Sequence, residues 1–304
     1  MKYLPFLSGI YSTAPGLIST AKATGRDALV FQIDDSYDHY RRNKDACRKE
    51  NIHKYYCEQR LNRETIQQVN QYIVRQLAHE YPNDITVDWE ARVLTNRITQ
   101  EHFTWADDWQ TIHHPRYISL FDALCCQVQE DIAVFQLSQD NDWLAAIHLC
   151  SPNHWAPGDK IGKPFRDVHA PVPGMEKTLE HYRKMLEGIV QAKSPFTRFA
   201  WGIATDTRLN HHPQAPSHIN NASWQGREHD TSNAWYIRTE RQNLAGFANA
   251  NAFLFTIRTY FYSVDDLNIS EKELLRSALK SMSKEALAYK GLTGSVDHLD
   301  NYLR

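Results

Sequence analysis

Two segments, 234–242 and 252–262, constrain this chain more than any others. Both are rich in aromatic and β-branched residues, and the small-residue stretch AGFANAN separates them. Such runs read as β-strands, and the short connection makes them an antiparallel pair. Side chains alternate along a strand, so Tyr236, Arg238 and Glu240 share one face and Trp235, Ile237 and Thr239 the other. In the second strand Phe253, Phe255, Ile257 and Phe261 form an apolar face, opposite Leu254, Thr256, Arg258 and Tyr260. Pairing is expected to bring Tyr236, Arg238, Glu240, Arg258 and Tyr260 onto one face. Such a face is either a set of solvated ion pairs, worth little, or the wall of a pocket for an anion such as a carboxylate or propionate.

The rest of the chain mixes helices and strands. Residues 63–81 carry Ile66, Val69, Ile73 and Leu77 on one helical stripe, and 116–131 also read as helix. Segments 132–137 and 143–150 predict a hairpin around Ser138–Asp142. Residues 176–191 predict a helix with Leu179, Tyr182, Leu186 and Ile189 inward, and Ser270 with Glu273 suggests a capping box opening a helix over 271–282. No regular βαβ alternation runs through the chain, which points to an α+β fold with an antiparallel sheet, one domain over 1–304 with an N-terminal helical extension. The absence of G-x-G-x-x-G and Walker A motifs leaves a nicotinamide or nucleoside triphosphate site in this chain unsupported.

Hydrophobic residues at 42 % and charged residues at 23 % are globular values. The 34 Lys and Arg against 36 Asp and Glu leave a net charge of −2, so nothing favours nucleic acid or an anionic membrane as partner. No apolar run reaches the ~18 residues of a membrane span. Pro5 and Gly9 interrupt the apolar start, so no secretory signal is expected and a cytoplasmic setting is. The five cysteines are odd in number and form no C-x-x-C, which reads as buried thiols in a reducing compartment.

Three segments are candidates for chemistry. Residues 150–174 hold five prolines and three glycines, a stiff arm able to fix one side chain, His169, with Lys160 and Lys163 about Gly162; a purely structural loop with exposed lysines is the alternative. The polar stretch 206–233 is long enough to be functional or disordered. Glu130–Asp131 is either a turn element or a buried acid. Of the fifteen histidines, His148 reads as a core residue on its strand, and no H-E-x-x-H or Cys/His pattern indicates zinc. A single histidine bound axially to haem needs no local spacing, and without C-x-x-C-H any haem is non-covalent.

Several of these blocks, in order, resemble the haem-dependent oxidative N-demethylase family over about Tyr3 to Leu267. They are Val128–Ile132, Cys150-Ser-Pro with Trp155, Lys160-Ile-Gly-Lys-Pro164, His169–Gly174, Arg238–Gln242 and Phe255–Tyr260. One block departs: Phe199-Ala200-Trp201 follows Arg198, where the pattern has Asn before the Trp. The resemblance implies a PAS-like antiparallel sheet with flanking helices around haem b. It implies a monooxygenase reaction that consumes dioxygen and releases a methyl group of a small secondary amine, dimethylamine-like, as formaldehyde. Electrons would come from NADPH through FMN and an iron–sulfur cluster on a separate reductase, since this chain has neither a cysteine quartet nor a dinucleotide motif. Within that frame His169 is the expected iron ligand, with His148, His211 and His212 next in line. Lys160, Lys163, Arg241 and Arg258 are the expected propionate partners. Tyr236, Arg238 and Glu240 are the expected catalytic group, Glu240 accepting the protonated amine. The competing readings are a haem-PAS sensor without turnover and a ligand-binding module without haem.

Overall fold

The computed structural model describes residues 2–224, 229–232 and 234–304; residues 225–228 and 233 of the polar stretch lie outside the described residues. Strands β1 (Ile18–Ser19), β2 (Tyr56–Glu58), β3 (Ile85–Asp88), β4 (Val93–Asn96), β5 (Glu101–Trp105), β6 (Ile112–His113), β7 (Asp131–Leu137), β8 (Asp142–His148), β9 (Phe196–Ala204), β10 (Tyr236–Phe247) and β11 (Ala252–Ser263) form two sheets. The large sheet runs β1-β9-β10-β11-β7-β8-β2 and the small one β3-β4-β5-β6. Every neighbouring pair for which a register is resolved is antiparallel. This is the α+β class expected.

Helices α1 (Tyr37–Tyr55), α2 (Arg63–Glu80), α3 (Leu120–Cys125), α4 (Pro157–Lys160), α5 (Phe165–His169) and α6 (Glu176–Val190) cover the large sheet. The α2 stripe Ile66, Val69, Ile73 and Leu77 is buried against α3, β7, β11 and the small sheet. On the other face α5 and α6 pack on β7, β8, β10 and β11 through Phe165, Val168, Leu186 and Ile189. With both faces covered, all seven residues of β7 are buried, which is why Ile132–Phe135 read as an apolar run rather than an alternating one, while the buried polar side chains at either side, Asp131 and Gln136, are hydrogen-bonded. The end of α6 lies so close to β10 that a Cβ on Gly246 would sit 2.1 Å from the Ile189 carbonyl oxygen, so only glycine fits there. A third core joins Trp201, Ile203, Trp235 and Ile237 to helices after residue 268.

Four expectations change. The helix over 116–131 is only α3, capped by Ser119 Oγ on the Asp122 amide. It stops because Lys44 Nζ takes the carbonyls of Cys125, Val128 and Glu130, so that backbone is satisfied without a further turn. The capping box is Asn268 with Glu271, opening the helix Ile269–Lys280 two residues early. The arm 150–174 holds two short helices, α4 and α5, and His169 lies in the last turn of α5. The small sheet over 85–113 has no counterpart among the expected elements.

Candidate functional site

His169 is positioned from three directions. Its helix follows Pro164, whose ring fixes φ, and the Phe165 amide donates to Asp142 Oδ2 at 2.6 Å. Asp142, wholly buried at the start of β8, also accepts from the Tyr182 hydroxyl of α6 at 3.1 Å. The Phe165 ring stacks on His169 with centroids 4.0 Å apart and on Tyr182 at 5.6 Å. His169 Nδ1 lies 2.9 Å from the Phe165 carbonyl oxygen. That contact puts the proton on Nδ1 and leaves Nε2 as a lone-pair nitrogen, without a hydrogen-bond partner among the described residues. Burial pushes the His169 pKa down to about 4; Lys160 and Arg198 act in the same direction and the carbonyl opposes. The imidazole is therefore neutral, the form that ligates a metal.

His169 lines a cavity of about 210 Å³ between α5 and the large sheet. The register decides what faces it. Gln242 stands opposite Arg198 and Ile257, Glu240 opposite Ala200 and Thr259, and Arg238 opposite Gly202 and Phe261. The floor is apolar, with Phe135, Phe255, Ile257, Val168, Val172 and Met175. The polar wall is Ser151, Lys160, Arg198, Arg238, Glu240 and Gln242. A smaller apolar void of about 30 Å³ shares His169 and Arg198.

Arg238 is buried and held tightly. Nη2 donates to the Ser151 carbonyl at 2.8 Å, and Nη1 lies 3.1 Å from His211 Nδ1. His211 Nε2 in turn meets Asp206 Oδ1 at 3.0 Å. Arg238 can only donate, so His211 Nδ1 accepts and His211 is neutral; burial lowers its pKa although Asp206 opposes. Burial works against the Asp206 carboxylate, but His211 and Arg208 hold its pKa down at about 2. Glu240 Oε2 accepts from Gln242 Nε2 at 2.9 Å, and Glu240 Oε1 is 3.9 Å from Arg238 Nε. Arg238 Nε, Ser151 Oγ and Gln242 Oε1 are buried without a partner. These three polar atoms along one wall leave hydrogen-bonding capacity open to a ligand or to water.

Of the expected site residues, His169, Lys160, Arg238 and Glu240 meet at this cavity. Tyr236 begins β10 on the same face but does not line the cavity, and Lys163 is exposed outside it. Arg241 and Arg258 pair across the strands on the opposite face, as does Tyr260 with Thr239. Arg241 donates to the carbonyls of Asp27 and Leu29, and Arg258 bonds Asp34 at 3.2 Å and stacks over Tyr40 at 3.9 Å. The shared face expected for Arg238 and Arg258 is thus corrected. Glu130 and Asp131 are buried acids serving backbone amides, Glu130 for Gln32 and Asp131 for Cys150 and Ser151. Arg198, Gln242 and Ser151 were not foreseen; the alternation of Thr197, Phe199, Trp201 and Ile203 is the signal that marks β9.

A second buried cluster, Asp122, Cys126 and His148, has its ligand atoms within 4.8 Å of one another and could hold a metal ion. Arg48 already donates to Asp122, His148 Nε2 lies 3.2 Å from the same oxygen, and burial pushes the Cys126 thiol up to about 12. Its carboxylate is thus neutralised by side-chain cations.

An antiparallel sheet with a neutral, backbone-anchored histidine over an apolar floor and a polar, cation-bearing wall makes an α+β protein with a cavity able to take a cofactor or small ligand. The chain belongs to the family described as haem-dependent oxidative N-demethylase, alpha subunit-like, whose model matches residues 22–299. The family's description names a haem-dependent oxidoreductase class, and the words alpha subunit-like imply a partner subunit in that family. The residues present fit a haem: a lone-pair imidazole nitrogen, apolar surface for a macrocycle, and cations for its carboxylates. Among the described residues no helix is long and apolar enough to cross a membrane.

Proposed function

We propose that this chain is the haem-carrying component of a cytoplasmic monooxygenase, a single PAS-like domain that removes an N-methyl group from a small amine. The observation that carries the reading is His169: Nδ1 fixed on the Phe165 carbonyl at 2.9 Å, Nε2 unbonded, on the wall of the cavity. His169 Nε2 would hold the iron of a non-covalent haem b, with the Phe165 carbonyl contact setting the tautomer and ring orientation of the imidazole. Lys160 is the propionate partner at this cavity; Lys163, exposed outside it, is at most a partner at the rim.

Bound haem supplies dioxygen activation. The overall change is R₂N–CH₃ + O₂ + 2e⁻ + 2H⁺ giving R₂NH, formaldehyde and water. The electrons come from a separate flavin and iron–sulfur reductase that oxidises NADPH. Glu240 accepts a hydrogen bond from the ammonium of the incoming amine, and Gln242 and Arg238 orient that carboxylate. Ser151, through its backbone carbonyl, and His211 position Arg238. α5, packed on the sheet through Phe165 and Val168, shields part of the apolar floor from water.

The test is spectroscopic and catalytic together. Purified protein should show a Soret band and, with a reductase, release formaldehyde in proportion to amine consumed. A Soret band without amine-dependent formaldehyde would instead mark a haem sensor, and no haem binding at all would leave a ligand-binding module.

A further inference from the structure

Among the described residues, Arg198, Arg238, Lys160, Lys290 and Glu240 are the charged side chains on the cavity wall. Lys290 donates to the Trp201 carbonyl at 2.8 Å and Lys160 lies 4.0 Å from the Trp155 ring centre, whereas Arg198 and Glu240 stand on one sheet face with opposite charge. A zwitterion can meet both at once, a bare alkylammonium only the carboxylate.

Arg198 is the cation built to use this. Its Nε donates to the Pro15 carbonyl at 2.9 Å, which fixes the plane of the guanidinium. Its two Nη nitrogens have no hydrogen-bond partner among the described residues, and the side chain lines both the main cavity and the smaller void. A planar fork with both tips unbonded matches a carboxylate bidentately. Burial lowers the Arg198 pKa and Glu240 opposes that shift, so the two side chains feel each other without forming a direct ion pair. The register explains the gap. Arg198 stands opposite Gln242, and Glu240 stands opposite Ala200, one pleat further along the same face. Ala200 offers only a methyl group beside Glu240, which leaves space on the wall between acid and guanidinium.

We infer that the substrate is an N-methylated amino acid rather than a simple alkylamine. Its carboxylate sits on the Arg198 Nη pair and its methylated ammonium on Glu240, which presents the N-methyl group to the cavity. The inference names the substrate class of the reading given above and rests on it for the oxidation, but the recognition itself is a binding statement.

Calorimetric titration of the haem-loaded protein with N,N-dimethylglycine, sarcosine and dimethylamine tests it. Wild type should bind N,N-dimethylglycine at least ten-fold more tightly than dimethylamine. Arg198→Gln should remove that preference by weakening N,N-dimethylglycine ten-fold or more while leaving dimethylamine unchanged; Arg198→Lys, which keeps the charge but not the fork, should fall between. Circular dichroism matching wild type is required of each variant, and the wild-type comparison stands alone if neither folds. Equal affinities in wild type would overturn the inference. So would an Arg198→Gln variant with reduced haem content and an unchanged ligand preference, because the guanidinium would then serve a haem propionate. Should the purified protein hold no haem, the same titrations on it still decide the carboxylate preference while the oxygenase reading alone fails.

Discussion

Phe165 and His169 occupy one turn of α5, and the first holds the second twice: through its carbonyl oxygen, 2.9 Å from Nδ1, and through its ring, stacked at 4.0 Å. Phe165 is itself held by Asp142, which accepts its amide hydrogen at 2.6 Å. The orientation of the histidine is therefore set by a carboxylate on a neighbouring strand. Asp142→Ala leaves the Phe165 amide and the Tyr182 hydroxyl without their acceptor in a buried place. It should cost about 1–3 kcal/mol in chemical denaturation, the range for an unsatisfied buried group. Haem should bind the variant with a broadened or shifted Soret band, since the ring is no longer fixed.

Arg258 and Lys160 should separate cleanly. Arg258→Leu breaks the contact to Asp34 on the face away from the cavity and should destabilise the fold by about 1–3 kcal/mol, the range for hydrogen bonds to a charged group lost in a buried place; Asp34 keeps Arg26. The fraction that remains folded should retain haem normally. Lys160→Ala should do the reverse, weakening haem retention by about 1.5–3 kcal/mol, the range for a hydrogen bond to a charged group, with a thermal midpoint close to wild type. Haem transfer to apomyoglobin reads the first quantity and a melting curve the second.

The histidines predict opposite pH dependences. The His169 pKa is depressed from 6.5 to about 4 by burial. Between those values the unfolded chain holds a proton that the folded chain refuses. Acidification through that window should lower the stability of haem-free protein, by up to about 3 kcal/mol, and His169→Gln should flatten the profile there. Burial opposes charge on His148, but the Asp122 carboxylate 3.2 Å from Nε2 holds its pKa above the usual imidazole value. Its contribution is complete below pH 6.5 and is lost as pH rises through the raised value. His148→Gln should remove that alkaline limb in a urea titration series.

Glu240→Gln keeps the size and most hydrogen bonding of the side chain and removes its charge. Amine affinity should fall about ten-fold or more, with haem content and melting temperature near wild type. The contact to Arg238 Nε, 3.9 Å long and at a partly exposed carboxylate, is too weak for its loss to unfold the protein. Equal amine dissociation constants in the two proteins would assign Glu240 a structural place instead.

Much of the frame was legible because the period of the apolar pattern carried it. The stripe Ile66, Val69, Ile73 and Leu77 marked α2, and the runs flanking Ser138–Asp142 marked β7 and β8. The gathering of His169, Lys160, Arg238 and Glu240 at one cavity follows from segments that the sequence singled out separately. The face of Arg258 was not legible, because it depends on the parity of a turn. Ala245, Gly246 and Phe247 extend β10, and the chain reverses over residues 248–251, so even-numbered residues face odd-numbered ones, as in Arg241 with Arg258. One residue more or fewer in that turn would have put Arg258 on the face of Arg238. Arg198 was hidden for a different reason. It lies on the small-residue side of β9 with Ala200 and Gly202, where only the neighbouring strand shows that the face is enclosed.

The central claim is that His169 Nε2 holds a haem iron, and a chemical rescue tests it most directly. Wild-type protein reconstituted with haem should show a Soret band of a histidine-ligated b-type centre. His169→Gly should lose that spectrum, and millimolar imidazole, which fits the space left by the missing ring, should restore it. A His169→Gly variant that binds haem with the wild-type spectrum in the absence of imidazole would contradict the assignment.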